Sequence, residues 1–293
     1  MSDPGVAVVV CTRDRPEQLH RCLVALADQP AAEVLVVDSA SRRPDTVRVT
    51  TELCVRCVSV AEPGLALARN VGVRSTSAAV VAFTDDDCIA QPGWITAVAG
   101  AMSDRDVGVA LGRVAARGSG APMSVHLDAT PRTLTAADDP SRAGHGANLA
   151  VRRSCWEALA GFDELLGVGG LLRAGEDVDF VWRALRAGWS GRYLPEAVVE
   201  HEQWRGRLGA LRTSYGYGVG GGAVGVKVAR LGGKKTGRVV GAGRMSVALR
   251  QAASDARHGY AFGVAVSAMR AAGIVVGRRQ ARRLALDDGR FHR

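Results

Sequence analysis

Short apolar runs alternate with polar segments along the first third of the chain. Val6–Cys11 is continuous and mostly β-branched, which predicts a buried strand. Asp14, Pro16 and Glu17 follow as a capping side chain, a proline at the first helical position and an acidic first turn. We therefore predict a strand that turns directly into a helix capped by Asp14.

The same alternation continues downstream. Val34–Val37, Val55–Val60 and Ala79–Phe83 predict three more strands, and Leu65–Val73 predicts a helix before the last of them. Strands that alternate with helices favour an α/β fold with a mainly parallel sheet flanked by helices.

Polar residues follow several of these predicted strands. Thr12 and Arg13 come after the first strand, Asp38 after the second and Asp85–Asp87 after the fourth. Ligands of open parallel sheets bind beyond the carboxyl ends of the strands. The sequence therefore gathers its polar groups where this architecture forms a site.

The second half of the chain carries a weaker pattern. Residues 117–143 are polar and are predicted to be rich in loops, and a short helix is predicted near Ser154–Ala160. Apolar residues at helical spacing after Gly175 predict a helix that ends at Gly188. Tyr193–His201 predicts a last strand.

Charge divides the chain into two parts. Residues 205–293 hold 18 of the 38 lysines and arginines but only three acidic residues, a net charge of +15, whereas residues 1–204 carry −6. We therefore expect an α/β domain over residues 1–204 and a basic helical extension over residues 205–293. The partner of such an extension should be anionic.

The extension suggests a membrane surface more than nucleic acid. Its arginines recur at helical spacing after the apolar Ile274–Val276, as in an interfacial helix at an anionic inner leaflet: Arg278, Arg279, Arg282 and Arg283. A packed helix with a solvated basic face remains the alternative. Nucleic acid is disfavoured because the extension has few aromatic residues and no recognised binding module.

Two other features of the extension are interpreted conservatively. Gly216–Gly221 matches a dinucleotide-binding pattern, but no strand precedes it, so a flexible hinge is favoured. Ala261–Val276 is interrupted by Arg270 and falls short of the roughly 20 residues of a spanning helix.

The chain opens without a basic, apolar leader, and its six cysteines suggest a reducing compartment. A cytoplasmic protein, peripheral at the inner face of the membrane, is the expectation.

Three clusters of residues could carry chemistry. Asp85–Asp87 ends an apolar strand, where three carboxylates suit a divalent cation, although a solvated acidic turn is the alternative. Asp177 opens a helix beside Glu176 and could be either a helix cap or a general base. His201 could be structural or a further metal ligand.

These segments together resemble glycosyltransferase family 2, a family of inverting enzymes with the GT-A fold. The resemblance covers about residues 5–204, and its segments occur in the family's order. They are Val8–Pro16, Val36–Asp38, Glu62–Gly64 with Ala68–Gly72, Phe83–Asp87 with Pro92–Trp94, Gly146–Arg153, Gly161–Glu164, Gly175–Phe180 and His201. Arg42 and Arg43 depart from the common pattern after Asp38, which leaves nucleotide preference open.

The resemblance implies a role for each candidate residue. It implies that Thr12, Arg13 and Asp38 hold the nucleoside, that Arg69, Asp85 and Asp86 lie near the ribose, phosphates or sugar, and that Asp87 binds the metal. Asp85 and His201 would join Asp87 around Mg²⁺ or Mn²⁺. Asp177 would be the catalytic base, assisted by Glu176, and Asn148 and Trp94 would line the sugar and acceptor pocket.

The implied function is metal-dependent, inverting transfer of a sugar from a nucleotide-diphosphate donor to an acceptor hydroxyl, in bacterial cell-surface glycan or glycolipid assembly. A transferase acting on a small natural product remains an alternative. So do a glycoside hydrolase, because two carboxylate clusters are present, and a non-catalytic sugar-nucleotide-binding relative.

Overall fold

A computed structural model describes residues 5–120 and 123–293; within residues 233–244 only the backbone is described. Its strands are β1 (Val6–Thr12), β2 (Glu33–Ser39), β3 (Arg56–Val60), β4 (Val80–Asp85), β5 (Cys88–Ala90), β6 (Val107–Arg117), β7 (Arg132–Leu134), β8 (Asn148–Arg152), β9 (Ser190–Glu202), β10 (Ala285–Asp287) and β11 (Arg290–His292). Its helices are α1 (Pro16–Leu26), α2 (Asp45–Glu52), α3 (Leu65–Arg74), α4 (Trp94–Met102), α5 (Arg153–Ala158), α6 (Glu176–Arg186), α7 (Arg207–Arg257) and α8 (Ala261–Arg282).

A nine-stranded sheet in the order β3-β2-β1-β4-β8-β6-β9-β5, with β7 paired to β9, forms the centre of the fold. Strands β3, β2, β1 and β4 are parallel, and every residue of β1 is buried because helices cover both faces of the sheet. The predicted α/β fold with a largely parallel sheet is confirmed. Strand β8 is antiparallel to both β4 and β6, and β6 is parallel to β9.

The sequence pattern missed several elements beyond β4. Strand β6 and helix α4 are too uniformly apolar to show a clear period, and β8 lies within a segment interpreted only as the approach to a helix. The polar stretch 117–143 does consist mainly of loops. It also holds β7 and a single 3-10 turn at Pro140–Arg142.

The start of α1 differs from the prediction in one detail. Arg15, not Asp14, occupies the N-cap position, and Pro16 is the first helical residue as expected. Asp14 adopts a left-handed backbone conformation with φ of 54°, and its carboxylate accepts a hydrogen bond from the Arg42 amide at 2.7 Å. Asp14 therefore ties the loop after β1 to the loop after β2 instead of capping the helix.

The basic extension folds into two helices and a small hairpin. Helix α7 has 51 residues and packs along α8, and β10 pairs with β11. The glycines expected to form a hinge lie inside α7, where they let the two helices approach. A Cβ on Gly218 would lie 2.2 Å from the Arg270 carbonyl oxygen, and one on Gly277 would lie 1.9 Å from that of Val219. The hinge prediction is wrong because this segment is a helix–helix contact.

A buried cluster of charges joins the extension to the sheet domain. Lys227 of α7 is fully buried, and its Nζ lies 2.5 Å from Asp163 Oδ2 and 2.8 Å from Asp179 Oδ1. Arg183 binds the other oxygen of Asp179 at 2.9 Å, and the Phe291 amide donates to Asp163. Two cations thus neutralise two carboxylates, and loss of one partner would leave a buried charge unpaired.

Helix α8 is longer than its apolar run indicated. It has 22 residues, and an 18-residue window within it reaches a mean hydropathy of 1.3, with 28% of the window buried. By length and composition α8 could cross a membrane, which corrects the expectation drawn from Ala261–Val276 alone. Lys234 and Lys235, two of the basic residues counted in the extension, lie outside the described side chains.

Candidate active site

The carboxyl ends of β1 and β4 lie side by side and bring distant polar residues together. Cys11 of β1 pairs with Asp85 of β4, so Thr12 lies beside the acidic triplet. Thr12 Oγ1 donates to Asp86 Oδ2 at 2.6 Å. Strand β5 follows the acidic triplet, and its antiparallel partner β9 places His201 opposite Cys88. The sheet register, rather than the local sequence, thus assembles the site.

Asp86 and Asp87 are both buried, and Arg15 pairs with both. Arg15 Nη1 lies 3.0 Å from Asp86 Oδ1 and 2.8 Å from Asp87 Oδ2. Burial raises the pKa of Asp86 to about 7, although Arg15 and Thr12 act to lower it. Burial also acts to raise the pKa of Asp87, but His201 and Arg15 overcome it and hold that pKa below its usual value. Asp87 is therefore the more firmly ionised of the two.

Further donors converge on Asp87. The Trp204 indole donates to Asp87 Oδ2 at 2.8 Å, the Arg205 guanidinium lies 3.6 Å from the same oxygen, and His201 Nε2 lies 3.4 Å from Oδ1. These positive groups compensate the buried negative charge of Asp87, and a divalent cation bound there would do the same.

The residues around Asp87 fit a divalent ion. A ligand atom from each of Asp87, Cys88 and His201 lies within 4.8 Å of the others, and all three residues are buried. Burial raises the pKa of the Cys88 thiol well above its usual range, so Cys88 stays protonated and is a poor ligand. The carboxylate of Asp87 and the imidazole of His201 remain, and Mg²⁺ and Mn²⁺ would complete such a site with waters and phosphate oxygens.

A second group of charges centres on Arg69 of α3. Its Nη1 donates to Glu176 Oε1 at 2.7 Å, its Nη2 donates to the Gly146 carbonyl at 3.0 Å, and Nη2 lies 3.6 Å from Asp85 Oδ1. Arg69 is only 2% exposed, whereas the Asp85 side chain is 30% exposed. Arg69 therefore links the end of β4 to the start of α6, and Asp85 keeps an accessible carboxylate.

Asp177 lies in the first turn of α6, two residues after Gly175. Gly175 has a φ of 89°, a conformation that favours glycine, and this turn starts the helix. Asp177 Oδ2 accepts the Gly146 amide at 2.7 Å, and Oδ1 accepts the Val178 amide at 2.7 Å. The carboxylate is thus fixed by two backbone amides while the residue remains half-buried. A positioned, accessible carboxylate can accept a proton from a hydroxyl.

Two predicted pocket residues lie in the core instead. Trp94 has no exposed surface, and its indole donates to Asn148 Oδ1 at 2.8 Å. Asn148 Nδ2 in turn donates to the carbonyls of Arg113 and Ala197. Each polar atom of both side chains is used inside the protein, so we correct their placement from the pocket wall to the scaffold beneath it.

The remaining two predicted residues lie at the edge of the site. The Asp38 side chain accepts the Ser41 amide at 2.9 Å, which shapes the loop after β2. Arg13 is 38% exposed and lies 3.8 Å from Asp14. A cavity of about 370 Å³ opens beside this edge, lined by Asp14, Pro16, Arg42, Arg43, Asp45 and Thr46. Neither Thr12 nor Asp38 lines that cavity, although both Arg42 and Arg43 do.

Sequence reasoning missed Arg15, Trp204 and Arg205. Arg15 lies within a segment that was quoted for its resemblance, but its basic charge was not connected with the acidic triplet 70 residues away. Trp204 and Arg205 fall at the expected boundary between the two parts of the chain, where Arg205 counts only toward the net charge of the extension and no motif includes Trp204. The signal that could have indicated Trp204 and Arg205 is their position in the sequence. They follow His201, a candidate metal ligand that contacts Asp87, by three and four residues.

Comparison with known proteins identifies related chains. The glycosyl transferase family 2 domain matches residues 7–156, about half of the chain. The pre-mycofactocin glycosyltransferase of Mycobacterium tuberculosis is 28% identical over 218 residues, which are 69% of this chain and 43% of that protein. Glycosyltransferase AglE of Haloferax volcanii is 26% identical over 212 residues, 68% of this chain and 67% of that protein.

A solved structure shares the fold. The TarS structure from S. aureus superposes with a TM-score of 0.54 at 17% sequence identity, covering 76% of this chain and 39% of that one. This likeness concerns the GT-A-like architecture alone. The chain spans less than half the length of both TarS and the M. tuberculosis relative.

Proposed function

Because the chain belongs to glycosyl transferase family 2, we propose that it transfers a sugar from a nucleotide-diphosphate donor to an acceptor hydroxyl, with inversion and with a divalent cation. The observation that carries this proposal is that Arg69 lies between acidic residues from two parts of the chain. Asp85 lies on one side, at the end of β4, and Glu176 and Asp177 lie on the other, at the start of α6. A donor site and a base for the acceptor are thus adjacent.

We assign the cation to Asp87 and His201, with Asp85 as the accessible carboxylate beside them. A bound Mg²⁺ or Mn²⁺ would stabilise the charge that develops on the departing nucleoside diphosphate. Arg15 and Arg205, which neutralise Asp87, would then be free to pair with phosphate oxygens. Thr12, Arg13 and Asp38 are proposed to face the nucleoside, beside the cavity lined by Arg42 and Arg43.

The acceptor hydroxyl is activated by Asp177 in this proposal. Its carboxylate takes the hydroxyl proton while the acceptor oxygen forms a bond to the anomeric carbon, and the bond from that carbon to the diphosphate oxygen breaks. Attack from the opposite face inverts the configuration at that carbon. Gly146 and Val178 hold the carboxylate in place through their backbone amides, and Glu176 holds Arg69 near the donor side.

Nucleotide binding tests this function most directly. Thermal unfolding of the wild type and of Asp87→Ala would be followed with UDP, GDP, dTDP and CDP, each with Mn²⁺ and with EDTA. We expect one nucleotide to stabilise the wild type only with Mn²⁺, and Asp87→Ala to lose that stabilisation. Stabilisation by no nucleotide would favour a hydrolase or a non-catalytic relative and would contradict the assignment of Asp87.

We further propose that the extension binds an anionic lipid surface and that the acceptor belongs to a cell-surface glycan or glycolipid. The relevant observation is that exposed large hydrophobic residues accompany exposed arginines there. Leu208, Val247, Leu249, Tyr260 and Val275 are all more than a third exposed. Apolar side chains next to basic ones are the composition of interfacial helices. A soluble natural-product acceptor would leave this combination without a role.

A further inference from the structure

Helix α7 lies directly on the turn that carries the proposed base. A Cβ on Gly220 would lie 2.1 Å from the Ala174 carbonyl oxygen, and one on Gly175 would lie 3.1 Å from Val224 Cγ2. Ala174 and Gly175 immediately precede Glu176 and Asp177. The backbone of the extension therefore touches the backbone of the catalytic turn, which makes α7 a wall of the site and not a distant appendage.

Tyr217 lies on this wall. Its hydroxyl forms a 2.6 Å hydrogen bond with the Ser124 hydroxyl. Burial raises the pKa of Tyr217, while the hydrogen bond with Ser124 and the charge of Arg205 act to lower it. Tyr217 is three residues from Gly220, so it stands within one turn of the contact between α7 and the turn that carries the proposed base. An acceptor has to enter next to that turn.

Arg270 of α8 lies next to this phenol. Its Cζ is 5.8 Å from the centre of the Tyr217 ring, and the residue is exposed. A Cβ on Gly218, which follows Tyr217, would lie 2.2 Å from the Arg270 carbonyl oxygen, so Arg270 lies against α7 only two residues from the contact of Gly220 with Ala174. Among the described residues no carboxylate forms an ion pair with Arg270. Arg15, Arg69 and Arg205 differ, since each is paired with an acid.

We propose that α7 and α8 form the acceptor side of the active site and that Arg270 binds an anionic group of the acceptor, a phosphate or a carboxylate. Tyr217 and Ser124 lie beside Arg270 and would offer hydroxyls to the acceptor. An exposed guanidinium with an aromatic ring as its contact is suited to an anionic ligand. This inference rests on the proposed function, because it assumes that Asp177 activates an acceptor.

Small acceptors of similar size but different charge test whether the protein prefers an anionic acceptor. The wild type, loaded with its sugar nucleotide and Mn²⁺, would be assayed for nucleoside diphosphate release with glycerol, glycerol 3-phosphate and glycerate. Arg270→Gln, Arg270→Lys and Arg257→Gln would be assayed in parallel, because Arg257 is an exposed arginine of the same extension, at the end of α7, with no proposed role. We expect at least one anionic compound to have a KM about tenfold or more below that of glycerol in the wild type and in Arg257→Gln.

Arg270→Gln should lose this preference, and Arg270→Lys should keep part of it. The phosphate and carboxylate compounds show which anion is preferred. Where turnover is too slow to measure, saturation-transfer NMR of the same compounds on the same four proteins gives the binding preference directly. Equal behaviour of Arg270→Gln and Arg257→Gln, or a preference for glycerol, would overturn the inference.

Nucleotide binding distinguishes a failure of the acceptor inference from a failure of the proposed function. If Mn²⁺-dependent nucleotide stabilisation is present but selectivity is independent of Arg270, only the acceptor inference fails. If no nucleotide binds, the proposed function itself fails. Arg270→Gln is expected to retain the wild-type response to nucleotide, since the described contact of the Arg270 guanidinium is with Tyr217 and not with a residue assigned to the nucleotide or the cation.

Discussion

Arg69 donates to Glu176 at 2.7 Å inside the protein, and this ion pair connects α3 to the first turn of α6. The two residues are 107 positions apart, and neither is more than 7% exposed. The pair therefore fixes how far the proposed base, Asp177, stands from Asp85. Its loss should affect both the stability of the fold and the spacing of the site.

Above pH 7, where the Glu176 carboxyl is ionised, we expect Arg69→Met to lower the free energy of unfolding by about 3 to 5 kcal/mol, because it leaves that buried charge without its partner. Urea denaturation would measure the change. The matched control is Arg48→Met, which removes the exposed ion pair with Glu52 and should cost about 1 kcal/mol or less. A loss no larger than that of the control would show that the buried pair does not contribute.

Asp177→Asn should lower kcat about 100-fold or more while leaving nucleotide binding intact, since the amide keeps the shape but cannot accept the hydroxyl proton. Product release with a fixed acceptor measures kcat, and Mn²⁺-dependent thermal stabilisation measures binding. Asp28→Asn, which changes an exposed carboxylate in the turn after α1, is the control and should change neither. Full activity of Asp177→Asn would remove Asp177 from the role of base.

The carboxyl of Glu176 should make stability depend on pH. Its burial and the adjacent Asp177 raise its pKa from 4.5 to about 7. Between these values the unfolded chain is ionised there while the folded chain holds the proton. Its contribution to stability is therefore full below pH 4.5 and is lost as the pH rises to about 7. The difference in unfolding free energy between wild type and Glu176→Gln should fall across this interval. A constant difference would contradict the raised pKa.

Lys227→Met should destabilise the protein by about 3 to 5 kcal/mol, because Asp163 and Asp179 would keep their buried charges with one cation fewer. Arg250→Met, an exposed position on the same helix, is the control for the loss of a positive charge. Chemical denaturation would compare the two. Near-equal stability of the two variants would show that the junction between α7 and the sheet domain rests on apolar contacts alone.

Binding to lipid would be tested by sedimentation with vesicles of phosphatidylglycerol and of phosphatidylcholine. We expect binding to the anionic vesicles only, and its loss in the triple variant Arg279→Gln, Arg282→Gln and Arg283→Gln, whose side chains are exposed. Point variants are preferable to deletion of the extension, since deletion would remove Lys227 from its two carboxylates. Unchanged sedimentation of the triple variant would contradict the proposal.

The sequence predicted the strands of the sheet well where a strand consists of a clear run of apolar, β-branched residues. Strands β1, β2 and β4 are buried and β-branched, so their positions and their parallel arrangement could be inferred. Strand β8 could not, because its antiparallel insertion between β4 and β6 depends on pairing with segments far away in the chain. Burial patterns indicate that a segment is a strand but not which neighbour it pairs with.

The same distinction applies to the site. Asp85, Asp87, Glu176 and Asp177 could be singled out because their local context is unusual for acidic residues. Arg15 and Trp204 could not, since an arginine at a helix start and a tryptophan after a strand are ordinary in isolation. Trp94 was placed in the pocket because it lies in a family segment, although its indole is used to hold Asn148. A motif reports which residues occur together, and only packing shows which of them face a ligand.

The buried cluster of Lys227, Asp163, Asp179 and Arg183 has a consequence for protein engineering. If α7 and α8 bind the acceptor as proposed, a chimera that exchanges these helices for those of a relative would need a cation at the position of Lys227. Without it, the graft would leave Asp163 and Asp179 with Arg183 as their one cation at the seam, and Asp179 lies two residues beyond Asp177. The residue at the position of Lys227 can therefore show whether the extension of one relative suits the sheet domain of another, before any catalytic residue is compared.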